Sequence, residues 1–185
     1  IIIDGNNHIL QGPAEDGISG SGRSNVTIKN MLIARFSDGI DFSGSGLVVT
    51  NVTIIGCWEG IWLPSCSDAN ITGNILKYNN DGIQTPGSGV ITNNIITNNG
   101  YGLLITVADV VGNKILRNYI GIYGLSHTGT WTRNTIINNT IAVQAIHGCS
   151  SVFHNNFIDN TIAVDPFYTA TLTWDNGYPS GGNYW

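Results

Sequence analysis

A chain of 185 residues and 19.8 kDa suffices for one domain, provided its core runs as a column rather than a ball. Charged residues make up 10% against 42% hydrophobic, and Gly reaches 24 with Asn close behind, a composition that excludes an ordinary helical domain and suits tightly turning β-structure. The net charge is −5, and the seven cations (Arg23, Lys29, Arg35, Lys77, Lys114, Arg117, Arg133) are scattered, which argues against nucleic acid as a partner; no apolar run reaches the length needed for membrane insertion.

The chain opens on Ile1-Ile2-Ile3-Asp4-Gly5, with neither an initiator Met nor a signal-peptide pattern, and reads as a mature or excised fragment. Three isoleucines in mid-strand without a cap predict an open parallel edge. Truncation from a longer surface protein accounts for such an edge. So does self-association through the uncapped N-terminal turn, stacking head to tail into a filament by a heterologous contact that does not close.

A repeat of 20–22 residues then carries the chain. The segments 24–45, 46–67, 68–88, 89–108, 109–128, 129–149 and 150–170 each run apolar pair, polar residue, Asn, any residue, apolar pair, polar stretch, small residue, apolar. One asparagine column is read as Asn30, Asn51, Asn93, Asn113, Asn134 and Asn155, with Gly73 replacing Asn once, and a second as Asn98, Asn118, Asn139 and Asn160. Small residues recur at Gly39, Gly60, Gly82, Gly102, Gly121, Ala142 and Ala163. Each period is too short for a strand plus a helix but fits three short strands joined by bends. The predicted fold is therefore all-β: a single-stranded right-handed parallel β-helix, a solenoid of about eight turns, with residues 1–170 as repeats and 171–185 as a C-terminal aromatic cap of one domain spanning 1–185.

Three aliphatic ladders are predicted to point inward: Ile28, Val49, Ile71, Ile91, Val111 and Phe153; Leu32, Ile75, Ile95, Ile115, Ile136 and Phe157; and Ile40, Ile61, Ile83, Leu103, Ile122, Val143 and Val164. Asn suits the bends because it tolerates left-handed backbone angles and its amide reaches the backbone or the Asn one turn away. Sequons occur at Asn25, Asn51, Asn70 and Asn138, as a chain rich in Asn and Thr produces by chance. Cys57 and Cys66 share one turn and could bridge, or lie buried as small apolar residues. Cys149 sits four turns on, about 19 Å away and beyond disulfide reach.

The sharpest candidate site precedes the small-residue column. Asp16, Asp38, Glu59 and Asp81 recur at spacings of 22, 21 and 22, stacking carboxylates about 4.8 Å apart. Such a ladder can bind Ca²⁺ or supply an acid and a base at Asp38, Glu59 and Asp81 for cleaving or epimerising a sugar polymer. It can equally be Asp-Gly turn chemistry repeated because the turn repeats, and the later members Tyr101, Ile120, Ile141 and Ile162 end it midway. Two residues past the small column run Asp41, Trp62, Gln84, Leu104, Tyr123, Gln144 and Asp165, where rings and amides form either a sugar-binding platform or an ordinary solvent face. Asp41, Trp62, Gln84 and Tyr123 are the carbohydrate-binding candidates.

The opening Ile3-Asp4-Gly5-Asn6-Asn7-His8-Ile9-Leu10, the Asp-Gly-Ile recurring at Asp16, Asp38 and Asp81, the stretch Asn155-Asn156-Phe157-Ile158-Asp159-Asn160-Thr161 and the tail from Trp174 to Trp185 resemble the NosD-type right-handed parallel β-helix repeats. That family is related to the carbohydrate-binding and sugar-hydrolase domain group and is common in archaeal surface proteins. Its repeats specify fold rather than activity. The NosD name implies copper, but His8, His127, His147 and His154 lie in different turns and Met31 is the sole methionine, so no metal site and no cofactor is expected beyond Ca²⁺ at the acidic ladder.

The sequence thus points to an extracellular or cell-surface β-helix module, structural or carbohydrate-binding and without catalysis, whose partner is a polysaccharide or cell-surface glycan. The alternatives are a polysaccharide hydrolase, lyase or epimerase using the stacked carboxylates, and a head-to-tail filament subunit. No polygalacturonase-like Gly-His-Gly segment and no basic partner accompany the carboxylates, which weighs against the enzyme.

Overall fold

The computed structural model describes residues 1–13, 15–125, 128–146, 151–165, 172–177 and 179–185. Twenty-one strands, without a helix among the described residues, form two parallel sheets. The second sheet stacks eight strands, Ile18–Ser24, Asp38–Ser45, Glu59–Ser67, Asp81–Thr85, Tyr101–Ile105, Ile120–Gly124, Ile141–Ala145 and Ile162–Val164, so about seven full coils separate its first rung from its last. The 13-stranded first sheet covers the other two sides of each coil. Strands from Ala69–Thr72 to Ser151–Phe153 make one side and those from Ile75–Lys77 to Asn156–Ile158 the other, and Val48–Ile55 is long enough to pair with both. A parallel β-helix results, as the repeat predicts.

Three aliphatic files fill its interior: Ile28, Val49, Ile71, Ile91, Val110, Trp131 and Val152; Ile33, Ile54, Leu76, Ile96, Ile115, Ile136 and Phe157; Ile40, Ile61, Ile83, Leu103, Ile122 and Val143. Each such side chain contributes about 1.5–3 kcal/mol of burial, paid out rung by rung. The third file agrees with the sequence reading as far as Val143; Val164, in the last strand, is only partly buried. In the other two, five residues expected inside face out or lie only partly buried. Val111 and Phe153 give way to Val110 and Val152, and Leu32, Ile75 and Ile95 to Ile33, Leu76 and Ile96. Successive strand side chains point to opposite faces, so an apolar pair places one member inside and leaves the other out, and the pair alone does not say which.

The same ambiguity corrects the asparagine columns. Asn74, Asn94, Asn113, Asn134 and Asn155 form one buried ladder, and Asn79, Asn99, Asn118 and Asn139, ending on the partly buried Asn160, a second. Beyond the first rung of each ladder, where Asn74 and Asn79 accept from Val52 N and Cys57 N, every Oδ1 accepts both the backbone N–H and the amide Nδ2 of the asparagine one coil earlier. Asn113 N and Nδ2, for example, reach Asn134 Oδ1 at 2.9 and 3.1 Å. Asn30, Asn51 and Asn93 instead belong to an outer file at positive φ, where Asn51 donates to Asn30 Oδ1 at 2.8 Å. The inner amides satisfy backbone groups that the bends take out of the sheets.

At the C-terminal end, Phe157 stacks on Trp185 at 4.5 Å between centroids and Trp174 packs edge-on to Phe157 and tilted against Trp185, forming the expected aromatic cap. Asn183 extends the first buried ladder by one rung, accepting from Asn155 N at 3.0 Å. The N-terminal strand Ile2–Gln11 pairs on one edge with Thr27–Ala34 and leaves Ile1, Ile2, Ile9 and Leu10 exposed. Cys57 and Cys66 are buried and free, so the bridge between them is not formed. Cys149, His127 and His147 lie outside the described residues.

Candidate functional site

The second sheet carries the site because its outer surface collects two neighbouring files. One runs Asp38, Glu59, Asp81, Tyr101, Ile120; the other runs Asp41, Trp62, Gln84, Leu104, Tyr123, Gln144. Both files are those read from the sequence, and pairing is in register at each rung. A glycine at Gly39, Gly60 and Gly82 lets the backbone close the corner beneath them: a Cβ at Gly60 would stand 2.5 Å from the carbonyl oxygen of Gly82.

Gln84 joins the files. Its amide, oriented with Nε2 toward the carboxylates, donates to Asp81 Oδ2 at 3.1 Å and to Glu59 Oε1 at 3.2 Å. Asn80 donates to Asp81 Oδ1 at 2.9 Å, while Glu59 Oε2 is buried without a partner among the described residues. Burial pushes the Glu59 carboxyl up to about 7, helped by the negative charges of Asp38, Asp81 and Asp41, and burial alone pushes Asp81 up to about 6. Asp38 and Asp41 are raised by burial and by Asp16, and Asp38 by Asp41 as well. Rings border the acids. Trp62 is half-buried beside Asp41, Trp58 is exposed at the preceding bend, and Tyr101 meets Tyr123 edge-on at 5.4 Å.

The sequence singled out the acids and the platform separately but missed their union, which Gln84 makes. The only available signal was the three-residue offset from Asp81 to Gln84, which places them close together on the sheet surface without specifying that the amide turns back. Asp165, at the far end of the platform file, is buried.

Residues 1–185 match the model of the family described as periplasmic copper-binding protein (NosD). The chain belongs to the NosD family. No curated protein and no solved structure matches it. The NosD description as periplasmic agrees with placement outside the cytoplasm, and no helix among the described residues is long and apolar enough to cross a membrane.

Membership overturns one expectation. The chain was expected to carry no cofactor, with Ca²⁺ as the sole exception, whereas the NosD family is described as copper-binding. The donors among the described residues do not, however, make a copper centre: no three His, Cys, Asp or Glu side chains converge on one point. His8 Nδ1 lies 3.0 Å from the Gly5 carbonyl and neighbours Met31, a pair of donors only, while His154 Nε2 contacts the Ser180 carbonyl at 2.6 Å at the opposite end. Burial pushes the Cys57 and Cys66 thiols up, away from the thiolate that binds metal. These donors therefore do not fit a copper centre.

Proposed function

We propose that the chain is a carbohydrate-binding β-helix module of a surface or periplasmic protein, with the outer surface of the second sheet as its sugar platform. Rings such as Trp62 and Tyr123 stack on pyranose faces, and Gln84, Asp41 and Asp38 exchange hydrogen bonds with hydroxyls. The observation that carries this reading is the Gln84 bridge, which ties the half-buried Glu59 and the buried Asp81 to an amide one rung from the Trp62 indole on one regularly spaced surface. The test is retention on a panel of neutral and acidic polysaccharides by affinity electrophoresis. Trp62→Ala and Gln84→Ala are each expected to weaken binding about tenfold or more, the loss of one well-placed stacking or hydrogen-bonding group. Absence of retention on every polymer, or retention indifferent to both changes, refutes the proposal.

A second reading is favoured by the perturbed carboxyls. Burial raises Glu59 to about 7 and Asp81 to about 6, which brings both carboxyls into the range where a proton can be given and taken near neutral pH, as glycoside cleavage needs. New reducing ends that vanish in Glu59→Gln while binding persists would establish it over binding alone.

A further inference from the structure

The solenoid presents opposite charge on two of its sides. On the first sheet, Lys77, Lys114 and Arg117 stand outward at the strands Ile75–Lys77 and Lys114–Leu116 and the bend that follows, beside Ile75 and Ile95, which are 37% and 41% exposed. On the second sheet stand the partly exposed Asp16, Asp38, Asp41 and Glu59, with Asp81 buried behind them. Lys29–Asp4 is the one ion pair among the described residues, so neither group is neutralised by the other within the chain.

Their spacing also matches. Lys77 pairs with Thr97 and Thr97 with Leu116, which sets Lys77 two rungs from Lys114 and Arg117. Asp16, Asp38 and Glu59 likewise span two rungs. Both charged strips therefore extend about 10 Å along the axis, and flat sheets stack about 10 Å apart, close enough for long cationic side chains to reach facing carboxylates.

We propose that the cationic side of one copy docks on the carboxylate side of a second copy, packing solenoids laterally. A second copy is the occupant these observations select, because it alone is known to carry both the opposite charge and the same rung spacing. The contact is heterologous, so it propagates rather than closing. Seven coils by one strand length give on the order of 500 Å² per copy, below the roughly 800 Å² of a stable pair, which makes the association weak and sensitive to salt. It does not depend on glycan binding, although a glycan on the carboxylate side would compete with it.

The experiment is sedimentation equilibrium at low ionic strength, with protein up to the high micromolar range, on wild type, Lys77→Glu/Lys114→Glu, and Asp38→Lys/Asp41→Lys, each checked for fold by circular dichroism. Wild type is expected to associate, with an association constant that falls about tenfold or more at high salt. Each variant alone is expected to remain monomeric, and the two mixed are expected to associate again because opposite charges face each other once more. Lys114→Glu alone, at an exposed position, covers the case in which an acid-side variant misfolds and is expected to weaken association by itself. A monomeric wild type, a mixture that stays monomeric with both variants folded, or association that ignores salt and charge reversal would overturn the proposal; the last would point to the apolar N-terminal end instead.

Discussion

Replacing Asn134 by Ala removes a rung from the middle of a buried amide ladder, and the cost follows from the partners left behind. Asn134 Oδ1 accepts Asn113 N at 2.9 Å and Asn113 Nδ2 at 3.1 Å, while its Nδ2 donates to Val110 O at 2.8 Å and Asn155 Oδ1 at 2.9 Å. Asn113 Nδ2 keeps the Ile91 carbonyl and Asn155 Oδ1 keeps the Asn134 backbone N–H, but the Asn113 N–H is orphaned at a residue 1% exposed. One buried unpaired donor costs about 1–3 kcal/mol, and the lost Val110 bond and the small cavity raise the total to roughly 3–4 kcal/mol. Asn51→Ala, which removes an exposed amide bond to Asn30 and puts alanine at a positive φ, should cost only about 1–2 kcal/mol. Urea titrations of both variants would measure the difference, with hydrogen exchange at Asn113 reporting the local opening that a solenoid permits. Equal costs for the two changes, or Asn134→Ala within about 1 kcal/mol of wild type, would refute the assignment of the inner ladder.

Stability should also depend on pH through the carboxylate cluster. Glu59 and Asp81 have folded values raised to about 7 and about 6, so the unfolded chain loses these protons first as pH rises. Stability is then highest below the unfolded carboxyl values and declines through pH 4–7, levelling off above. Thermal melts across that range should show the decline, and Glu59→Gln/Asp81→Asn should flatten it; a wild-type profile that rises over the same window would contradict the placement of these acids. Asn183→Ala is expected to cost about 1–3 kcal/mol by leaving Asn155 N without its acceptor, with faster exchange confined to the last coils. A global loss of protection would instead mean that the tail holds more than the end. Thiol labelling of native protein at Cys57 and Cys66 should be slow and become rapid only on unfolding, because both are buried with raised thiol values; fast labelling in the native state would place them at the surface.

The repeat made the architecture legible because each coil must place the same residue types at the same points. Gly39, Gly60 and Gly82 recur since only a small residue clears the next coil's carbonyl, and Ile40, Ile61 and Ile83 recur since they stack. Trouble came where neighbours share a character. In Asn93-Asn94 and Asn98-Asn99 the second member enters the buried ladder and the first takes the outer bend, and in Ile95-Ile96 the second points inward. Composition is identical for both assignments, and only strand register separates them.

The candidate site divides in the same way. By itself the sequence determined that Asp38, Glu59 and Asp81 stack, and that Asp41, Trp62 and Gln84 form a second file, because position in a regular coil follows from counting residues. Tertiary structure decided that Gln84 reaches back to Glu59 and Asp81, that burial raises these acids, and that Lys77, Lys114 and Arg117 stand on a different side. Those facts depend on side-chain direction and on distances between coils, which a period does not encode.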